Sequence, residues 1–329
     1  MVPPYRRRGM GSQGFRVNHI ALGPGEEFDR IRSIWGRLGG HAAGGGDDCA
    51  FVQIGGERLA LSIDLSVEGT HFRLGWMSPL EVGWRATSAA LSDLAAVAAT
   101  PAGVLVSLAV PTEWPAEHVT DLMDGVGAAA GAVGAQVWGG DLARGERVTV
   151  DVCAIGRLAG APLLRSGAQA GDELWVTGRL GGPFVALAAW NAGAEPDAMA
   201  RERFARPVPR IAEAQWLRER GARALIDVSD GLVPDAGHLA AASGVGWTID
   251  ADAVPLHPSA ETVDVALAGG EEYELLAAVP PGLSDADAAA FGARFGIPLT
   301  RVGRADQAEG VRLVRDGKRV WVPETYRHF

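Results

Sequence analysis

Hydrophobic and polar positions along this chain fall into two periods, one of about two residues and one of about 3.6, and the two alternate through most of its length. Residues 59–65 alternate small and apolar side chains and predict a buried strand. Residues 79–99 predict a helix, with Pro79 at its start, alanine and apolar positions at helical spacing, and a stop at Thr100-Pro101. A second strand is expected at 104–110, a small-residue helix at 117–134 and a third strand at 148–155. A Gly/Ala/Pro-rich stretch over 158–171 then breaks the pattern and is the expected domain junction. Beyond it, strands are predicted at 173–177, 224–228, 246–250 and 274–279. Helices are predicted at 183–190, 210–221, from Ser229-Asp230-Gly231 to about residue 243, and 285–295. Alternation in both halves indicates α/β or layered α+β architecture. A chain of 329 residues is too long for one ordinary core. The expected division is a flexible basic extension over 1–17, one domain over 18–157 and a second over 158–329.

Composition narrows the chemistry. The formal net charge of −10 leaves no basic face for a phosphate backbone, so no nucleic-acid partner is expected. No apolar run is long enough for a membrane span, and the segment around Arg6, Arg7 and Arg8 lacks the apolar centre of a secretory signal. A cytoplasmic location is the expectation. The two cysteines, Cys49 and Cys153, stand in unrelated contexts, which excludes a disulfide framework and a zinc pattern. Lys318 is the only lysine. No Gly-x-x-x-x-Gly-Lys-Ser/Thr occurs, and neither a strand lysine nor a His-Arg-Asp loop is present.

Acidic residues recur where predicted strands end or helices begin. They are Gly46-Asp47-Asp48, Ser62-Ile63-Asp64, Ser92-Asp93, Gly140-Asp141 and Asp227-Val228-Ser229-Asp230-Gly231. Singly, such residues are good turns and caps. Asp64 at the end of an apolar strand and Asp93 inside an Ala/Leu-rich helix fit that description poorly, because a buried carboxylate is costly without a partner. Several carboxylates share one space when divalent cations neutralise them, and Mg²⁺ is held by one or two carboxylates plus phosphate oxygens. An acidic, lysine-free site that handles phosphate works through metal.

Taken in order, the motifs resemble the thiamine-monophosphate kinase family, within the superfamily that includes aminoimidazole ribonucleotide synthetase. The matching segments are GDDCA (46–50), SIDLSVEGTHF (62–72), ALSDLAAVAATP (90–101), GGDLARG (139–145), RSGAQAGDELWVTG (165–178), ALIDVSDGLVPDAGHLAAASGVG (224–246) and LAGGEEYELL (267–276). The resemblance implies a two-domain aminoimidazole ribonucleotide synthetase-like fold. Its N-terminal domain would carry metal, ATP and dimer contacts, its sheet forming a barrel across a homodimer, and the C-terminal domain would complete the nucleotide and substrate site. It implies Mg²⁺-assisted transfer of the γ-phosphate of ATP to thiamine monophosphate, with several Mg²⁺ ions held by Asp48, Asp64, Asp93, Asp141, Asp227 and Asp230. Ser62 and Ile63 fall on metal-contacting positions, Gly140, Asp141, Arg165 and Ser229 on nucleotide positions, and His71, Glu271 and Tyr326 on acceptor positions. Asp64, Asp93 and Asp141 would be the catalytic aspartates. Related enzymes of that superfamily require a lysine after the first strand, a reactive residue near the N-terminus or a C-terminal cysteine, and this chain ends Tyr326-Arg327-His328-Phe329. Ile63, Ala90, Leu142 and Val133 depart from residues common in the family. Ile63, Ala90 and Leu142 keep open a weakened nucleotide-binding scaffold of the same fold; a related kinase for another phosphate ester is the other alternative.

Overall fold

The computed structural model of the chain describes residues 26–42 and 45–321. The expected extension over 1–17 and Tyr326 lie outside the described residues.

The first half contains α1 (Glu26–Leu38), β1 (Ala50–Ile54), β2 (Glu57–Val67), α2 (Pro79–Ala96), β3 (Thr100–Val110), α3 (Ala116–Ala132), β4 (Gln136–Arg144) and β5 (Thr149–Arg157). Its five strands form one sheet in the order β1-β2-β5-β3-β4, in which only β3 and β4 run parallel. The second half begins with β6 (Glu173–Thr177), α4 (Gly182–Asn191), α5 (Ala198–Ala205), α6 (Ile211–Glu219), β7 (Ala224–Asp227) and α7 (Leu232–Ser243). It continues through β8 (Gly246–Asp250), α8 (Val263–Ala268), β9 (Leu275–Val279), α9 (Asp285–Phe295), β10 (Leu299–Asp306), β11 (Gly310–Arg315) and β12 (Lys318–Val320). Its seven strands form a mixed sheet in the order β12-β11-β8-β10-β6-β9-β7. Among the described residues no helix is long and apolar enough to cross a membrane.

α2 is the element that ties the halves together. Ser78 caps it reciprocally: its hydroxyl accepts from Glu81 N at 3.3 Å while Glu81 Oε2 accepts from Ser78 N at 2.9 Å, with Pro79 in the first turn. Burial works to raise the Glu81 pKa, but hydrogen bonds from Arg201 and Ser78 hold it at about 2. Ala86, Ala90, Leu91 and Leu94 pack on Ala60, Val104, Val106, Val150, Val152 and Ala154 of the first sheet. Ala95, one turn on from Leu91, joins Leu225, Leu275 and Trp216 beneath the second sheet. The second sheet alternates, so that Leu174, Val176 and Ile226 face Leu232, Ala236 and Leu239 of α7 while Trp175 and Leu225 face Trp216 and Phe291.

Small residues set the close approach of α2 to α3. A methyl on Gly83 would lie 1.9 Å from the Leu122 carbonyl oxygen, and one on Gly125 would lie 1.9 Å from that of Leu80. Gly83→Ala therefore forces the helices apart and is expected to destabilise the fold by about 1–3 kcal/mol. Urea titration would show a lower midpoint at unchanged slope; an unchanged midpoint would contradict this packing.

Among the described residues none covers the other face of the first sheet. Ile63 is 69% exposed, Leu142 61% and Trp138 50%, with Leu65 and Leu105 also open. β4 is an edge strand and is exposed along its whole length.

Candidate active site

Three carboxylates converge where the two sheets meet. Asp48 precedes β1, Asp93 lies in the last turn of α2, and Asp227 ends β7. One oxygen of each lies within 4.8 Å of the others. Ser62 on β2 donates to Asp93 Oδ2, and Ser92 on α2 donates to Asp227 Oδ2 at 2.6 Å. Arg165 forks onto Asp48, with Nη2 2.6 Å from Oδ1 and Nε 3.2 Å from Oδ2, and its backbone N–H donates to Asp47 Oδ2 at 3.1 Å.

This arrangement is electrostatically overloaded with negative charge. Burial first, then repulsion from Asp227, Asp48 and Asp64, pushes Asp93 well above the usual carboxylate range. Burial and then Asp48 push Asp227 up to about 7, against the Ser92 hydrogen bond. Asp47 rises to about 7 through burial and then Asp48. Asp64, on the inward face of β2 with Ser62, is pushed up to about 6 by burial, then by Glu271, with Arg85 opposing. A buried set of hard oxygen donors that resist sharing their charge suits a divalent cation such as Mg²⁺.

The remaining expected residues distribute around this centre. Asp230 groups instead with Asp235 and His238, within the same 4.8 Å limit. Asp235 Oδ2 accepts from the backbone N–H of Ser229, Asp230 and Gly231 at 3.1, 3.1 and 3.0 Å, fixing the turn that follows Asp227. His238 is pushed down to about 3 by burial and then by Arg165. His71 Nδ1 accepts from Val67 N at 3.1 Å in the loop after β2. Asp141 is exposed on β4, in register with Ser107 of β3, and lies outside the Asp48–Asp93–Asp227 group. Beside it, Gly140 admits no side chain, since a Cβ would come within 1.7 Å of the Val106 carbonyl oxygen. Glu271 accepts from Arg85 Nη2 and from Tyr273 Oη, each at 2.5 Å.

Sequence reasoning missed Arg85, Ser92, Asp235 and Tyr273. Only Asp235 leaves a local trace, an acidic residue in the first turn of α7.

Comparison with known proteins defines the family. Residues 46–158 match the family model described as AIR synthase related protein, N-terminal domain, and residues 169–316 match the corresponding C-terminal domain. The fold and its two matched halves define an AIR synthase related protein. A thiamine-monophosphate kinase from Salmonella typhimurium is 38% identical over 320 residues, covering 92% of this chain and 95% of the relative. The Escherichia coli K12 thiamine-monophosphate kinase is 36% identical over 321 residues, again covering 92% and 95%. A solved structure described as AaThiL complexed with AMPPCP and TMP superposes with a TM-score of 0.81 at 31% identity, covering 93% of this chain and 97% of that one. The chain belongs to the thiamine-monophosphate kinase family.

Proposed function

We propose that this protein phosphorylates thiamine monophosphate to thiamine diphosphate, using ATP. The observation that carries the reading is the trio Asp48, Asp93 and Asp227, half-buried to buried, at the junction of the two domains, in a chain of this family. The acceptor is a phosphate monoester with a second pKa of about 6, hence largely a dianion at neutral pH. It can attack the γ-phosphate directly and requires no general base. The site accordingly needs residues that hold and orient two anions, which is most of what phosphoryl transfer asks of a protein.

Asp48, Asp93 and Asp227 would hold Mg²⁺, with Asp64, Asp141, Asp230, the Ser62 hydroxyl and the Ile63 carbonyl as further oxygen donors. When bound, the ions supply the positive charge that lets the two phosphates approach. Arg165 is pinned by Asp48 through Nε and Nη2, so its remaining N–H donors, two on Nη1 and one on Nη2, are fixed in direction for a nucleotide phosphate. Gly140 gives the nucleotide close access to backbone, and Ser229 sits in the turn that Asp235 fixes. His71, Glu271 and Tyr326 would contact the acceptor. We place the domain division at 157/158, in the connection between β5 and β6.

We further propose a homodimer joined through the uncovered face and open edge of the first sheet. Contiguous exposed apolar surface and an unpaired edge strand are features that a partner covers. Ile63 and Leu142 belong to that surface, so their apolar character fits burial against a second copy rather than a weakened site. Sedimentation should give a dimer mass, and Trp138→Glu should shift it toward monomer; a monomeric parent would contradict the dimer.

A panel of phosphate monoesters tests the reaction itself. Thiamine monophosphate should be converted far faster than simple sugar or alkyl phosphates. Equal turnover across the panel, or phosphate release without acceptor, would contradict the assignment.

A further inference from the structure

Arg85 and Tyr273 have no role in the chemistry above, yet both end on one oxygen of Glu271. The Arg85 side chain is 5% exposed, and its Nη2 lies 2.5 Å from Glu271 Oε2. Its other arm is held as well: Nη1 donates to the Phe204 carbonyl at 2.5 Å, and the guanidinium lies 3.8 Å from the centre of the Phe204 ring. Tyr273, itself buried, donates its hydroxyl to the same Oε2 at 2.5 Å. Glu271 Oε1 takes no hydrogen bond from the described residues, and the side chain remains 29% exposed.

The backbone beneath is held as tightly. Glu271 has φ +64° and Tyr273 φ +50°, left-handed values that cost a non-glycine residue and persist only where the surroundings enforce them. The enforcement comes from the metal-site turn. Glu271 N donates to Ser229 O at 2.6 Å, and Glu272 N and Tyr273 N donate to Val228 O at 3.1 and 2.8 Å. The Glu272 side chain, fully buried, accepts from Gly181 N on the far side. Here one oxygen is clamped and the other is open.

We propose that Arg85 and Tyr273 are positioning residues for the acceptor, clamping Oε2 of Glu271 so that Oε1 is presented to a cationic or N–H-donating group of the phosphate ester. Stitching of the same loop to Ser229 and Val228 ties acceptor placement to the turn that carries Asp227 and Asp230. The proposal rests on the reading that Glu271 contacts the acceptor.

The test is steady-state kinetics with thiamine monophosphate on Glu271→Gln, Tyr273→Phe and the double variant. Tyr273→Phe keeps the buried ring and removes one donor. It should raise the acceptor KM about tenfold, the size of a lost hydrogen bond to a charged group. Its kcat and its KM for ATP should stay within about twofold of the parent, since neither depends on this donor in the proposal. In the Glu271→Gln background the same change should add less than about twofold, because its target is already altered. A silent Tyr273→Phe beside a damaging Glu271→Gln overturns the positioning role and leaves the acceptor contact standing. Full additivity, or an equal rise in both KM values, also overturns it. A silent Glu271→Gln removes the acceptor contact, and the positioning role with it. Should Tyr273→Phe melt below assay temperature, Arg85→Lys reads the same split, because it keeps the charge and loses the rigid fork.

Discussion

Asp93→Asn is expected to lower kcat on the order of a thousandfold, the scale of removing a preorganised charge from a phosphoryl-transfer site. It should do so without weakening the fold. Asp93 is half-buried at the end of α2, repelled by Asp227, Asp48 and Asp64, and held by the Ser62 hydroxyl. An asparagine keeps an oxygen for Ser62, and the backbone carbonyl that Cys49 Sγ approaches at 3.4 Å is untouched. The lost charge relieves repulsion, so the metal-free variant should melt at or above the parent temperature near neutral pH. Active sites commonly keep such unfavourable charge at the expense of stability. The pairing of measurements matters: kinetics and thermal melts on one preparation separate loss of chemistry from loss of structure. Near-normal turnover would contradict a catalytic Asp93, and a large fall in melting temperature would contradict the repulsion described for it.

The second large effect is on stability against pH. Asp227 and Asp47 are pushed up to about 7 and Asp64 to about 6, from an ordinary value of 3.8. Between those limits the folded protein binds more protons than the unfolded chain, so unfolding becomes easier as pH rises. The stabilising contribution is complete below the unfolded value near 3.8 and is lost as pH rises through 6 to 7. Glu81, held at about 2, and His238, held at about 3, act in the opposite sense; Glu81's contribution is complete once pH exceeds the ordinary value of 4.5, and His238 offsets part of the carboxylate loss only up to its ordinary value of 6.5. Metal-free protein should therefore melt lower at about pH 8 than at about pH 5. Mg²⁺ competes with protons for the same oxygens and should restore the loss selectively at the higher pH. At a hundredfold excess over its dissociation constant it adds about 2.7 kcal/mol, a shift of several degrees. Melts across pH with chelator and with Mg²⁺ would show the two curves diverging upward from the acid end. Parallel curves would contradict an aspartate-held cation.

How much of this was legible in the sequence depends on the range of the forces involved. The strands at 173–177 and 246–250 and the helix at 285–295 were readable to the residue, because period, caps and flanking glycines agree. The strand at 136–144 was not, since Gly139-Gly140 argues against a strand and its stability comes from pairing with β3. The helix predicted over 79–99 ends as α2 at Ala96, with Ala98 already left-handed at φ 53° before Thr100-Pro101. Asp93 announced itself, because a charge among alanines and leucines in a helix demands a partner. Its neighbour Ser92, which holds Asp227 across 135 positions of sequence, gave no comparable signal. Arg85 was invisible for the same reason: its partner Glu271 lies 186 residues away, and nothing local in α2 distinguishes it from a surface arginine. Asp141 was grouped with the other aspartates by motif alone, and its place on the exposed edge strand β4 was not readable locally. The uncovered apolar face around Trp138 depended on knowing which sides of five strands coincide.

The central claim is that this site moves the γ-phosphate of ATP onto the phosphate of thiamine monophosphate. It is tested most directly by following ADP and thiamine diphosphate together, with ATP, thiamine monophosphate and Mg²⁺ each omitted in turn. The account predicts equal amounts of the two products when all three are present, none when any one is missing, and none detectable above background with Asp93→Asn. ADP formed without thiamine diphosphate, or no product from folded, ATP-binding protein with all three present, would contradict it.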